Sequence, residues 1–249
     1  MRYRARGRWW HFPGPERDHL ERALKCRADA IERICMLKGT AIEAGYYEIL
    51  DRHLVPILVA LRLRPNHITL AGFVVSLLAG VFFAFSTLGG GVLTLLTGLL
   101  DTLDGSLARA LGEAKKYGAF LDSVLDRYTE LIIYLGIWCY FYQQGRATAW
   151  LSLILLLILF GSLMVSYTRA RAEGLGQPCL VGVFQRGERI IIIGLAGMIN
   201  PLANSIANRP GGSGLQDLLL VIALFVLAVG TNLTALWRFL HVLNNLRRS

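Results

Sequence analysis

From Ile68 to Leu240 the chain is a succession of apolar runs, and their length decides what kind of protein this can be. A helix of about 20 apolar residues covers the ~30 Å hydrocarbon thickness of a bilayer. Six runs meet that need, at Ile68–Leu88, Val92–Leu111, Ala119–Tyr142, Ala147–Tyr167, Ile190–Ala207 and Leu215–Leu240. Lipid offers no partner to backbone N–H and C=O groups, so only helices and closed barrels span it. These runs are too long and too unalternating for barrel strands. The expected fold is therefore an all-α integral membrane protein with six transmembrane helices. Its fifth span is the weakest, because Asn200-Pro201 interrupts it.

Charge sets the orientation. If six spans alternate, 24 of the 26 Lys and Arg residues fall on one side, and only Arg146 and Arg209 lie opposite. The positive-inside rule puts that basic side, with both termini, in the cytoplasm of a multi-pass protein of the cell (inner) membrane. One basic face beside anionic lipid accounts for the net charge of +9, so no nucleic-acid partner is implied. The Arg-rich start of the chain lacks the apolar core of a secretory signal. Cys26, Cys35, Cys139 and Cys179 show neither Cys-x-x-Cys spacing nor a His at ligand spacing, and read as reduced structural thiols.

Residues 1–65 form a separate basic, juxtamembrane region ahead of the membrane domain, 66–249. Arg2, Arg4, Arg6 and Arg8 with Trp9 and Trp10 suit a disordered interfacial arm. Pro15–Leu37 and Ile42–Leu63 carry apolar residues at helical spacing, the second interrupted by Pro56. Each fits a helix lying in the membrane plane or one packed on the end of the bundle. Next comes Pro65, which discourages helix before it, and Asn66, a good N-cap for the first span whose free N–H groups suit an anion. His67 reads as an interfacial residue.

The chemistry should lie at the junction of the second and third runs. Asp101 and Asp104 are three residues apart, and Asp122 and Asp126 four apart, so each pair shares a helix face. The glycine-bounded segment Gly112–Gly118 folds the two helices into a hairpin whose carboxylate faces can converge. Carboxylates near a bilayer are expensive, ~2.5–3.5 kcal/mol each near the centre of a span. Four together call for intervening cations. Two divalent ions offset four carboxylates, oxygen-only ligands suit Mg²⁺ or Mn²⁺, and paired metals are the usual machinery of phosphoryl transfer. Gly105 and Ala108 remove bulk where a base or phosphate must lie against the backbone, and Arg109 adds a forked cation. Small-residue helix packing would explain the first two alone; among the aspartates they read as a nucleotide seat.

The string Asp101-x-x-Asp104-Gly105-x-x-Ala108-Arg109, eight residues, Gly118-x-x-x-Asp122-x-x-x-Asp126 resembles the signature of the CDP-alcohol phosphatidyltransferases at every specified position. The likeness extends from about residue 50 to the C-terminus and includes Pro65-Asn66-x-x-Thr69. It implies a homodimeric six-helix enzyme, open to the cytoplasm, that acts on CDP-diacylglycerol or a related CDP-lipid among the membrane lipids. By resemblance, Asp101, Asp104 and Asp122 hold a metal pair bridging the diphosphate. Asp126 is the base for the acceptor hydroxyl, and a further metal ligand. Asn66, Thr69, Asp104, Gly105, Ala108, Arg109 and Gly118 then seat the CDP-lipid.

The acceptor is read from Arg169, Arg171, Arg186 and Arg189, at the same end as the aspartates. Arg186 and Arg189, three apart, can share a face and clamp a phosphate. Arg169 and Arg171 lie ~200° apart on a helix, so one of them faces the pocket. As positive-inside anchors, all four would need no ligand. The string Ala170-Arg171-Ala172-Glu173-Gly174 is similar to the phosphatidylinositol-phosphate synthase branch, which favours inositol phosphate as acceptor over glycerol 3-phosphate. An ion or lipid transporter is the rival class, since intramembrane carboxylates also mark ion paths. The outer half of the bundle has no acidic residues to continue such a path.

Overall fold

The computed structural model describes residues 41–248 apart from 113–115, 180 and 208–215. The basic arm and the helix expected over Pro15–Leu37 lie outside the described residues. Two short helices, α1 (Ala41–Ile49) and α2 (Val55–Ala60), are joined by a π-helical turn, Leu50–Leu54. Six long helices follow: α3 (Pro65–Phe85), α4 (Thr87–Ala110), α5 (Lys116–Gln143), α6 (Ala149–Gly174), α7 (Arg186–Ala207) and α8 (Leu218–Arg248). Each sits on one of the six apolar runs. Of these, α3, α6, α7 and α8 are long and apolar enough to cross a membrane by length and composition. The other two, α4 and α5, have the length but carry the aspartates, and composition alone does not qualify them.

The helix ends follow local chemistry, with two departures from expectation. Arg64, not Asn66, is the extended residue before α3, and Pro65 takes the first helical position, where its missing N–H costs nothing. Asn66 thus stands in the first turn. The second departure is in α7, which continues through Pro201 to Ala207 instead of breaking. Asn200 beside it is fully buried and donates to Asp217 at 2.7 Å and Thr87 at 3.3 Å, so neighbouring elements hold the segment. Ser86 and Thr148 cap α4 and α6 by accepting from Gly89 N–H and Leu151 N–H. Gly112, at φ 64°, ends α4 in a conformation that glycine adopts without strain.

Helix α3 packs on α4 and α5, α4 on α7, and α6 and α7 on α8. The α3–α5 crossing is so close that a Cβ on Gly136 would lie 2.1 Å from the Gly80 carbonyl oxygen. Only glycine admits that approach, the small-residue packing typical of membrane helices. Phe83, Ile137, Ile158, Leu220 and Leu224 fill the core between these helices. Leu50 and Val55 pack with Ile68, Leu103 and Leu107, so the second juxtamembrane segment docks on the aspartate-bearing end of the bundle.

Asp217 anchors the opposite end, which corrects the expectation that the outer half of the bundle carries no acidic residue; it is neutralised there by its own partners. It accepts from Tyr140, Asn200 and Asn204, and its second oxygen pairs with Arg146 at 2.6 Å. Burial pushes its carboxyl up, but these hydrogen bonds and the Arg146 guanidinium outweigh burial and hold it below the ordinary carboxylate range.

Candidate active site

The four aspartates converge where α4 ends and α5 begins. One carboxylate oxygen from each of Asp101, Asp122 and Asp126 lies within 4.8 Å of the other two. Asp104, buried, stands beside them and accepts a 2.6 Å hydrogen bond from Thr69 of α3. The spacing of three and then four residues put each pair on one face, and the α3–α4 and α3–α5 contacts bring the faces together. Uncompensated, such a set would repel itself. Arg186, from the first turn of α7, sits among them, paired with Asp101 and, at 2.8 Å, with Asp126. Three converging carboxylates around a guanidinium are a site that demands positive charge. Their oxygen-only chemistry fits Mg²⁺ or Mn²⁺.

Two cavities meet at this cluster. One, about 400 Å³, is lined by Asn66, Thr69, Asp104, Gly105, Ala108, Arg109, Gly118 and Asp122, among others. Its floor is shaped by small residues. A Cβ on Gly118 would sit 3.4 Å from Asn66 Oδ1, and one on Gly105 3.5 Å from Arg109. Arg109 donates to Ser106 at 2.9 Å and lies over the Tyr47 ring, 5.6 Å from its centroid. The other cavity, about 510 Å³, is lined by Asp126, Glu130, Ser166, Arg169, Arg186, Arg189 and Arg238 together with their neighbours.

Residues 62–229 match the CDP-alcohol phosphatidyltransferase family. The chain belongs to that family. An archaetidylinositol phosphate synthase of Methanothermobacter thermautotrophicus is 38% identical over 200 residues, covering 80% of this chain and 93% of that one. A second enzyme of that name, from Pyrococcus horikoshii, is 41% identical over 145 residues, 57% of this chain and 73% of the relative. Among solved structures, the Mycobacterium tuberculosis phosphatidylinositol phosphate synthase with CDP-DAG bound superposes with a TM-score of 0.65 at 26% identity. That match covers 77% of this chain and 94% of the other. The same enzyme in complex with manganese and citrate shares the fold, at a TM-score of 0.62 and 24% identity.

As a CDP-alcohol phosphatidyltransferase, the chain is a transferase. All of the nucleotide-seat positions line the 400 Å³ cavity. The acceptor arginines divide. Arg169, Arg186 and Arg189 line the larger cavity, whereas Arg171 is not among its lining residues. Their freedom differs too. Arg169 makes an exposed pair with Glu173 one turn on, at 2.8 Å. Arg189 is buried, paired with Glu130 of α5, and donates to the Phe184 carbonyl at 2.9 Å.

Sequence reasoning missed three contributors. Glu130, four residues past Asp126, continues the acidic face of α5 by one more turn and neutralises Arg189. Arg238, among the 24 basic residues counted on one side, is buried from α8 and donates to the Val181 and Val165 carbonyls, tying the α6–α7 connection to the cavity wall. Tyr47, from α1, covers Arg109. The i+4 spacing could have flagged Glu130; nothing local signals the other two.

Proposed function

We propose that the chain transfers a phosphatidyl-type group from a CDP-linked diacyl or ether lipid to inositol phosphate, releasing CMP. The observation that carries the reading is the aspartate cluster standing between a small-residue cavity and an arginine-lined one. Asn66, Thr69, Gly105, Ala108, Arg109 and Gly118 would seat the nucleotide in the first cavity. Asp101, Asp104, Asp122 and Asp126 would hold two Mg²⁺ or Mn²⁺ ions, whose charge offsets that of the diphosphate and of the departing CMP. Thr69 orients Asp104 through its hydrogen bond. In the second cavity Arg186 and Arg189, with Arg169 beside them, would receive the acceptor phosphate, whereas Arg171 drops out of the expected set. Asp126 lines that cavity and belongs to the cluster, so it can take the proton of the acceptor hydroxyl. The hydroxyl oxygen bonds to the lipid-side phosphorus while the bond from that phosphorus to the CMP oxygen breaks.

The rest of the reading follows from charge and helix placement. All six long helices span the membrane, with residues 66–249 forming the catalytic domain and 1–65 a basic extension. The aspartate end and both termini face the cytoplasm, a reading that the distribution of Lys and Arg supports. Two chains associate as a homodimer, an expectation taken from the family resemblance.

Purified protein with Mg²⁺ and CDP-diacylglycerol, or its diether analogue, should release CMP and form lipid product when given inositol phosphate. Product with glycerol 3-phosphate alone would transfer the chain to phosphatidylglycerol-phosphate synthesis. Ion or lipid flux in proteoliposomes without CMP release would remove it from this chemistry.

A further inference from the structure

Arg186 stands at the boundary between the two halves of the site. Its guanidinium makes ion pairs with Asp101 and Asp126, two of the three carboxylates whose oxygens converge within 4.8 Å. It also lines the 510 Å³ cavity, where Arg169 and Arg189 stand. Its Nε is buried without a hydrogen-bond partner, so the side chain is held by its tip alone.

Two facts about charge make this position consequential. A guanidinium drawing on Asp101 and Asp126 occupies lone pairs that a divalent ion at the same carboxylates needs. Cation and guanidinium, both positive and a few ångströms apart, would also repel each other strongly in a partly buried site. An ion therefore binds these carboxylates more tightly when Arg186 leaves. Its stem at the start of α7 faces the arginine-lined cavity, and a phosphate dianion there is the partner that would reward the move.

We propose that Arg186 is an internal counter-cation that exchanges between the metal carboxylates and the acceptor phosphate, making divalent-metal binding and phosphate binding mutually reinforcing. The proposal rests on the reading of the arginine-lined cavity as the acceptor-phosphate site. By linkage the coupling is reciprocal: phosphate tightens metal by the factor with which metal tightens phosphate. In this scheme the aspartates are neutralised before substrates arrive, and Arg186 reaches the acceptor only once metal is present.

The test is Mn²⁺ binding to the full-length protein in detergent, followed by electron paramagnetic resonance of free Mn²⁺, with and without inorganic phosphate. In the unmodified protein, phosphate should tighten Mn²⁺ on the order of tenfold, within the range typical of site coupling. Arg186→Ala should bind Mn²⁺ tighter without phosphate, by a similar factor, and lose the phosphate effect. Arg186→Lys keeps the charge but cannot bridge two carboxylates, and should fall between. Should the alanine variant not fold, the lysine variant decides, since Mn²⁺ affinity and phosphate response both unchanged from the parent overturn the exchange. A phosphate effect that persists in Arg186→Ala means phosphate acts on the metal directly and also overturns it. Those failures leave the transferase reading standing, whereas an unmodified protein that binds no Mn²⁺ would sink both.

Discussion

The Glu130–Arg189 pair offers a sharp test of what the fold supplies to the site. Arg189 is 3% exposed, and its Nε and Nη2 both donate to Glu130, the former at 3.1 Å. Glu130→Gln keeps the shape and one acceptor oxygen but deletes the charge. Removing one partner of a buried pair costs about 3–5 kcal/mol, because the remaining charge is stranded. The retained neutral hydrogen bond returns about 1 kcal/mol. The expected loss is therefore about 2–4 kcal/mol. At roughly 2–4 °C per kcal/mol for a chain of this size, the melting temperature in detergent should fall by roughly 5–15 °C. Glu130→Gln with Arg189→Met removes both charges and should recover most of the loss, since an apolar replacement of a buried pair is often neutral. Thermal unfolding of the three proteins followed by circular dichroism decides it. A neutral single variant, or a double variant no better than the single, would refute the claim that Arg189 is held by a desolvated charge pair.

Other expectations follow from single contacts. Asp126→Asn should cut CMP release by about 10²–10⁴-fold, the range for loss of a general base, with the melting temperature near the parent's; turnover within tenfold would move the base elsewhere. Gly136→Ala drives a methyl to 2.1 Å from the Gly80 carbonyl and should destabilise by about 1–3 kcal/mol or more, read as a lower melting temperature. Asp217 has a depressed folded-state pKa, so its contribution is present at neutral pH, above the unfolded value of about 3.9, and is lost as pH falls through the lower folded value. The stability gap between the parent and Asp217→Asn should accordingly narrow from pH 7 to pH 3, and a gap that widens on acidification would contradict that sign.

Much of this protein is legible along the chain because the forces involved are local. A bilayer-length apolar run must be helical wherever it lies, so all six long helices fall where the runs are. Spacing of three or four residues places Asp101 with Asp104 and Asp122 with Asp126, whatever the tertiary fold. The motif carried the family for the same reason.

Partnership between buried charges is a different kind of fact. Four arginines at one end look alike in sequence, yet Arg186 lies among the aspartates, Arg189 is locked to Glu130, Arg169 pairs at the surface and Arg171 stands off the cavity wall. Which of these occurs depends on which helices become neighbours, through contacts 59 residues apart in the Arg189–Glu130 case. Arg238 and Pro201 teach the same lesson: one is drawn into the site from the last helix, and the other is accommodated by a helix pinned through Asn200. Helicity and the position of the chemistry were thus written in the sequence, since each depends on residues close along the chain. Tertiary packing alone chose the partner of each buried charge, because a desolvated ion is neutralised by whatever the fold brings to it.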